Sequence, residues 1–172
     1  SARDEVQVLS PMKRGDAGTI KLNQRLRGRS SAHAGRGEAS LGGAARSEAE
    51  VTVSMGDPII QLKNDYENQV FNGDIGEVIR VRKLSGIRPS FTFRVRFNVR
   101  SGRGPDEPVE VEYTKSALES TVTLAYALTV HKAQGSEFPV VVMPLLTGHG
   151  RMLYRNLVYT GFSRAKSLLV LV

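Results

Sequence analysis

The strictest pattern in the chain is an alternation of apolar and polar residues from Phe91 to Arg100, "FTFRVRFNVR". The odd-numbered positions hold Phe or Val, and the even-numbered ones hold Thr, Arg or Asn. Because side chains alternate across a β-strand, this stretch predicts a strand with one face in a core and a basic face toward solvent. The run from Val109 to Tyr113, "VEVEY", alternates in the same way. Together the two runs predict a hairpin.

One register of this hairpin matches both faces at once. It sets two arginines opposite two glutamates, and two phenylalanines opposite a valine and a tyrosine. The predicted pairs are Arg94 with Glu112, Arg96 with Glu110, Phe93 with Tyr113 and Phe97 with Val109. The closely spaced strands from about Gly73 to Leu118 therefore predict a small antiparallel β-barrel.

The last third of the chain has a different pattern. Residues 121–129, 140–145 and 168–172 are continuous apolar runs, as expected of parallel strands that are covered on both faces. Between the last two runs, a helical stripe predicts a helix within Arg151 to Lys166. With the strand Val6 to Leu9 joining this sheet, the sequence predicts an α/β lobe interrupted by the barrel.

The stretch from Gly28 to Glu50 is rich in Gly, Ala, Ser and Arg and has no apolar period. Such a composition buries too little surface to offset the entropy of ordering, so we expect a mobile loop.

Composition narrows the class of protein. The 172 residues include no Cys, which excludes disulfides, thiolate catalysis and thiolate zinc sites. No run of 18 apolar residues and no signal-peptide pattern occurs, so we expect a cytoplasmic protein with no membrane partner. The formal net charge of +7 favours a polyanionic partner such as nucleic acid.

Polar residues crowd the stretch "LTVHKAQGSEFP", from Leu128 to Pro139, directly after an apolar run. Open parallel sheets bind ligands at the carboxyl ends of their strands, which is where we expect this stretch to lie. Two interpretations stay open, a polar loop that caps a strand and a ligand site. Arg164, near the end of the predicted helix, likewise fits either the helix dipole or a phosphate.

Eight basic residues and no acidic one lie between Arg80 and Arg103, a composition suited to a phosphate backbone. The hairpin register assigns Arg94 and Arg96 to pairs with glutamates. The residues left for DNA are Arg82, Lys83, Arg88, Arg100 and Arg103.

Two chemistries lack their residues. No "GK[ST]" occurs, so the phosphate-cradling P-loop is absent from these residues. The three histidines are scattered without metal-ligand spacing, and we predict no metal site.

Four stretches in the family's order resemble the C-terminal half of a RecD/TraA-type superfamily 1 DNA helicase. "VLSPMKRGDAGTIKLNQRL" is similar to motif IV, and "GDPIIQLKNDYENQVFNGDIGEV" resembles the entry into the family's inserted barrel. "YALTVHKAQGSEFPVVVMPL" resembles motif V, and "RNLVYTGFSRAK" resembles motif VI. Motif VI usually has Thr where this chain has Ser163, which keeps the hydroxyl.

The resemblance implies a RecA-like lobe of the P-loop NTPase type, without the half that carries the P-loop, at residues 1–60 and 119–172. It implies an inserted SH3-like β-barrel at 61–118, with the loop at 28–50. The partners implied are single-stranded DNA, a missing N-terminal lobe of the same chain and subunits of a repair complex. ATP with Mg²⁺ would bind the full-length protein, and the fragment alone would not hydrolyse ATP.

The resemblance also implies residue roles. The catalytic position is Arg164, which matches the motif VI arginine that reaches the γ-phosphate. The implied nucleotide contacts are Arg14, Gln134, Gly135, Glu137 and Arg164. The implied DNA contacts are Thr129, His131, Lys132, Asn64, Arg100 and Arg103, while Tyr66 and Asn72 fit either a DNA or a structural role.

The function predicted is that of a motor-lobe fragment of an ATP-dependent DNA helicase, in a family that translocates 5′ to 3′. A second hypothesis is a stand-alone nucleic-acid-binding module that uses the basic barrel. A third is a protein-interaction role for the barrel.

Overall fold

A computed structural model describes residues 6–29, 53–84, 90–97, 108–118 and 120–172. The chain divides into two compact units. The first unit contains Ser1–Arg29 and Tyr126–Val172, and the second contains Ser30–Ala125. The described elements, in chain order, are β1 (Val6–Ser10), α1 (Thr19–Arg29), β2 (Pro58–Gln61), β3 (Ile75–Leu84), β4 (Ser90–Phe97), β5 (Val109–Thr114), β6 (Val122–Leu124), β7 (Ala127–Thr129), β8 (Phe138–Met143), α2 (Arg155–Phe162) and β9 (Ala165–Leu171).

The first unit is built on a parallel sheet with the strand order β7-β1-β8-β9. This confirms that the N-terminal strand joins the strands of the last third. Leu9, Leu128, Val141 and Met143 are buried along the sheet. Helix α2 packs closely, because a Cβ at Gly161 would come within 2.8 Å of the Met143 sulfur.

Helix α1 covers the outer edge of β7 through one buried amide. The Asn23 Nδ2 donates to the carbonyls of Thr19 and Ala127, both at 2.9 Å, and its Oδ1 accepts from the Ala127 N–H at 3.0 Å. An edge strand leaves a row of backbone groups unpaired, and Asn23 satisfies both groups of Ala127.

The second unit is an antiparallel sheet with the order β5-β4-β3-β2-β6. The β4–β5 register contains all four residue pairs that the alternating pattern predicted. Its core face is aromatic, with the buried rings of Phe93 and Tyr113 stacked at 5.6 Å. Burial raises the pKa of the Tyr113 phenol, whose hydroxyl donates to the Gln61 Oε1 at 2.9 Å.

The predicted apolar run 121–129 proves to be two strands in different sheets. β6 pairs antiparallel with β2 in the second unit, whereas β7 pairs parallel with β1 in the first. Both have buried residues on successive positions, so their composition alone could not separate them. As a result the second unit extends to Ala125 and includes β2, beyond the expected limits of 61–118.

Other boundaries shift by a few residues. α1 continues to Arg29, so the expected loop at 28–50 begins within a helix, and the rest of that loop lies outside the described residues. The helix expected within Arg151 to Lys166 is α2, preceded by a 3-10 helix at Thr147–Met152. In the described part of the chain, no helix is long and apolar enough to cross a membrane.

Candidate functional site

The segment between β7 and β8 runs from the carboxyl ends of the parallel strands back to their amino ends. These two ends are called here the carboxyl edge and the amino edge of the sheet. It leaves the carboxyl edge after Thr129, which is level with Ser10, and enters β8 at the amino edge through Glu137. Counted through the pairing of both strands with β1, the two ends of the segment are seven residues apart, or roughly 20 Å along the strands. The expectation that the whole stretch lies at the carboxyl edge is therefore wrong. Because β7 and β8 both run parallel to β1, the chain has to return to the amino edge before β8 can begin.

The carboxyl-edge part of the segment is a tight turn. The Thr129 Oγ1 accepts from the Lys132 N–H at 3.3 Å, and the Thr129 carbonyl accepts from the Ala133 N–H at 3.1 Å. These bonds leave the side chain of His131 exposed above the strand end. The turn thus holds two of the predicted DNA contacts and presents the third to solvent.

Gln134 and Gly135 are exposed and lie between the two edges. Gly135 has a φ of +85°, a conformation that L side chains rarely adopt. A Cβ there would meet nothing within 4 Å, so backbone conformation and not crowding requires the glycine.

Arg164 lies at the amino edge, immediately before β9. Its Nη1 donates to the Ser136 carbonyl at 3.1 Å, its Nε to the Thr160 carbonyl at 3.2 Å and its Nη2 to the Ser163 Oγ at 3.1 Å. These three bonds use three of the five N–H donors of a guanidinium and leave two. Arg164 is thereby fastened to both the β7–β8 segment and α2.

Glu137 is beside this arginine in the structure. Its carboxylate forms an ion pair with the Lys166 Nζ at 3.3 Å, and both side chains are exposed. An exposed pair of this kind adds little stability. The amino edge therefore brings together Glu137, Arg164 and Lys166, and nothing in the sequence had singled out the lysine.

Arg14 lies in the loop after β1, at the carboxyl edge. Ser10 shapes this loop, because its Oγ donates to the Ala17 carbonyl at 2.6 Å and accepts from the Met12 N–H at 3.3 Å. The Arg14 side chain is exposed. The structure does not bring Arg14 to Arg164, since the strand ends that carry them are at opposite edges of the sheet.

In the second unit, Asn64 supports an exposed aromatic pair. Its Oδ1 accepts from the Asn72 N–H at 3.0 Å, and its Nδ2 donates to the Tyr66 hydroxyl at 3.2 Å. Tyr66 is 75% exposed and meets Phe71 edge-on at 5.9 Å. Asn64 thus has a structural task, and Tyr66 is the side chain that a ligand would meet.

The arginines of the β4–β5 hairpin have carboxylate partners. The Arg96 Nη2 lies 2.9 Å from the Glu110 Oε1, and the Arg94 Nη2 lies 3.3 Å from the Glu112 Oε2. A hydrogen bond from Thr92, followed by Arg94, lowers the pKa of Glu112. Arg82 and Lys83 are exposed, whereas Arg88, Arg100 and Arg103 lie outside the described residues.

His149 is a buried titratable group that sequence reasoning left without a role. Its Nδ1 accepts from the Leu146 N–H at 3.2 Å, and burial lowers its pKa. A neutral imidazole is thereby favoured in a structural turn. Within the described ranges, no cluster of three or more potential metal ligands occurs.

Comparison with known families matches residues 124–172 to the UvrD-like helicase C-terminal domain. These residues contain β7, β8, α2 and β9 together with both edges of the candidate site.

Two curated relatives extend the match. The ATP-dependent RecD2 DNA helicase of Deinococcus radiodurans is 41% identical over 94% of this chain, which spans 19% of that protein. The RecBCD enzyme subunit RecD of Haemophilus influenzae is 34% identical over 65% of the chain, which spans 14% of that protein. The chain thus corresponds to less than a fifth of each of these relatives.

Solved structures show a similar fold. Two coordinating Pif1 helicases at forked double-stranded DNA give a TM-score of 0.58 at 17% identity, covering 98% of this chain and 39% of that one. Bacteroides Pif1 helicase in complex with ADP-AlF3 and single-stranded DNA gives a TM-score of 0.53 at 19% identity, covering 99% and 41%.

Proposed function

This chain carries a UvrD-like helicase C-terminal domain and is homologous to RecD-type DNA helicases, and from that premise we propose that it is part of an ATP-dependent motor. Its first unit would be the second RecA-like lobe and its second unit an inserted SH3-like barrel. The motor lobe would supply motifs IV, V and VI to ATP hydrolysis and to translocation on single-stranded DNA.

The observation that carries this proposal is the setting of Arg164. Two backbone carbonyls and a serine hydroxyl orient its guanidinium, and none of these acceptors carries a negative charge. A guanidinium that forms no ion pair within the described ranges and retains two N–H donors fits a phosphate. Arg164 would stabilise the charge that develops on the γ-phosphate of ATP.

The segment between β7 and β8 would link the two ligands. Its carboxyl-edge turn would contact the DNA backbone through Thr129, His131 and Lys132. Its amino-edge end would contact the nucleotide through Glu137, with Gln134 and Gly135 between the two. Because Arg164 donates to the Ser136 carbonyl, a shift of the arginine toward a phosphate would pull directly on this segment.

The remaining parts of the motor would come from elsewhere in the protein. ATP would bring its Mg²⁺, and a P-loop and metal-binding carboxylates would hold both. We therefore expect no ATP hydrolysis by these 172 residues alone. Arg14, for which motif IV implies a nucleotide contact, lies in the loop after β1 and away from Arg164, so its role stays a prediction. Translocation from 5′ to 3′, a cytoplasmic location and partnership with repair subunits are also part of this proposal.

ATP turnover tests the role of Arg164 most simply. The chain would replace the matching segment of the Deinococcus radiodurans RecD2 helicase, with which it shares 41% identity. We expect the chimera to hydrolyse ATP and Arg164→Ala to lower kcat by about a thousandfold. Arg155→Ala, which removes an exposed arginine of α2, is the matched control and should keep full turnover. Unchanged turnover in Arg164→Ala would refute the assigned role.

The alternative function, a nucleic-acid-binding module, has its own supporting observation. The antiparallel sheet of the second unit exposes Arg80, Arg82 and Lys83 on a single strand. Such a module would bind DNA in the absence of ATP and without a motor lobe.

A further inference from the structure

Two stretches of backbone, residues 136–138 and 164–166, lie side by side at the amino edge of the parallel sheet. The Phe138 N–H donates to the Arg164 carbonyl at 2.9 Å, and the Arg164 Nη1 donates to the Ser136 carbonyl at 3.1 Å. These bonds set the glutamate in the middle of the first stretch alongside the second stretch, which has a cation at each end. The local backbone therefore gathers one carboxylate and two cations.

Lys166 is the less constrained of the two cations. Its Nζ lies 3.3 Å from the Glu137 Oε2, and in the described part of the chain it has no other partner. An ammonium has three N–H donors, so two of them are left for a ligand. The side chains of Lys166 and Glu137 are 56% and 57% exposed, which makes the pair accessible from solution.

The charges of this cluster favour a phosphate as its ligand. Glu137, Arg164 and Lys166 carry one negative and two positive charges. A triphosphate carries several negative charges where the carboxylate carries one, and a lysine ammonium binds phosphate as a point charge. Because an exposed ion pair stabilises a protein very little, the exchange of Glu137 for a phosphate costs Lys166 little.

We propose that Lys166 is a second phosphate contact of the nucleotide site and that Glu137 holds it near Arg164 while the site is empty. The inference rests on the nucleotide role proposed for Arg164 and deepens it. When ATP binds, the Lys166 ammonium leaves the Glu137 carboxylate and donates to a phosphate oxygen.

The two cations then have different kinetic tasks. Arg164 is oriented by three hydrogen bonds and acts on the charge that develops during the reaction. Lys166, on a flexible stem with one ion pair, binds the phosphates equally in the ground state and in the transition state. Loss of such uniform binding raises KM and leaves kcat unchanged.

The test is the steady-state kinetics of the RecD2 chimera with ATP at saturating single-stranded DNA. We expect Lys166→Gln to raise the KM for ATP about tenfold, the usual effect of losing one hydrogen bond to a charged group, and to keep kcat within about twofold. Lys166→Arg, which keeps the positive charge, should restore most of the affinity.

The matched control is Lys21→Gln. Lys21 is also an exposed lysine of the first unit, and its Nζ lies 2.7 Å from the Asp16 Oδ1. This substitution removes the same charge and breaks the same kind of pair away from the amino edge, so KM and kcat should both be unchanged.

A second comparison separates a phosphate contact from a residue that only positions Glu137. In the Glu137→Gln background, Lys166→Gln should still raise the KM for ATP by about the same factor, because the lost contact is to the nucleotide. If Lys166 acted only through the carboxylate, its substitution would have no further effect in that background, and the proposal would be overturned.

Three other results would also overturn it: an unchanged KM in Lys166→Gln, an equal rise in Lys21→Gln, or a fall in kcat as large as that of Arg164→Ala. These results would leave the function proposed for Arg164 intact. A chimera without turnover that depends on Arg164 would instead overturn that function, and this inference with it.

Discussion

The two sheets of this protein use arginine in opposite ways. In the antiparallel sheet, Arg94 and Arg96 lie on the strand face and pair with carboxylates of the neighbouring strand. In the parallel sheet, Arg164 lies at a strand end and donates to two backbone carbonyls and a serine hydroxyl. Ligands of open parallel sheets bind at the carboxyl ends of the strands, and here too the candidate side chains lie at strand ends.

The difference shows which arginines are available to an anion. A guanidinium paired with a carboxylate is already neutralised, whereas one held by carbonyls is positioned and keeps its charge. By this criterion Arg164 is a candidate phosphate contact and Arg96 is not. Arg80, without an ion pair in the described ranges, is a candidate of the second unit although it lies on a strand face.

Gly76 lies where β3 packs closely against β4 in the antiparallel sheet, and its substitution has the largest expected effect on the free energy of unfolding. A Cβ there would come within 2.6 Å of the Arg96 carbonyl oxygen and 2.7 Å of a Val95 methyl. We expect Gly76→Ala to lower the free energy of unfolding by about 3 kcal/mol, because β3 and β4 would have to separate. Denaturant titration measures this loss.

Gly148→Ala is the control for that substitution, since a Cβ at Gly148 would meet nothing within 4 Å. It should change the free energy of unfolding by well under 1 kcal/mol. Equal losses in the two variants would show that the β3–β4 contact is not as close as described.

Asn23 tests the parallel sheet with a smaller effect. Asn23→Ala would leave the N–H and carbonyl of Ala127 without their side-chain partner at the edge of β7. We expect a loss of about 2 kcal/mol in the free energy of unfolding, the usual consequence of leaving buried polar groups unpaired. Hydrogen exchange should also accelerate at Ala127, which a general loss of helix stability would not restrict to that amide.

Gln24→Ala, at an exposed neighbouring position of α1, serves as the control and should be nearly neutral. If both alanine variants destabilise equally, helix propensity and not the amide contact accounts for the effect.

The fold was predictable where one physical rule determined the structure. The alternation from Phe91 onward specified the β4–β5 register, because two faces had to match at once. The continuous run 121–129 did not specify which sheet each residue joins, because buried residues fit either sheet. Its division between β6 and β7 was therefore missed. A bulge in β3 after Val78 was also missed, because "VIRVRK" has no residue that requires one.

Motif resemblance named the residues of the candidate site, whose roles stay predictions, and it did not give their arrangement. Motif resemblance named Arg164 and Glu137, and the structure places them together at the amino edge. Their separation from Thr129 and His131 follows from the parallel direction of β7 and β8, because the chain must return to the amino edge between two parallel strands. Asn64 was named for DNA, but only the structure reveals its bond to the Tyr66 hydroxyl.

In the proposed motor, the segment between β7 and β8 contacts DNA at the carboxyl edge of the parallel sheet and nucleotide at its amino edge. The most direct test measures, in the RecD2 chimera, both the Kd for single-stranded DNA and the kcat for ATP in His131→Ala and in Arg164→Ala. His131 is exposed, so its removal should leave the fold intact.

We predict that His131→Ala raises the Kd for DNA about tenfold, as expected for the loss of one hydrogen bond to a phosphate, and leaves kcat at saturating DNA unchanged. We predict that Arg164→Ala lowers kcat by about a thousandfold and leaves the Kd for DNA, measured without nucleotide, unchanged. If both substitutions change the same quantity, the two edges do not serve separate ligands and the account is contradicted.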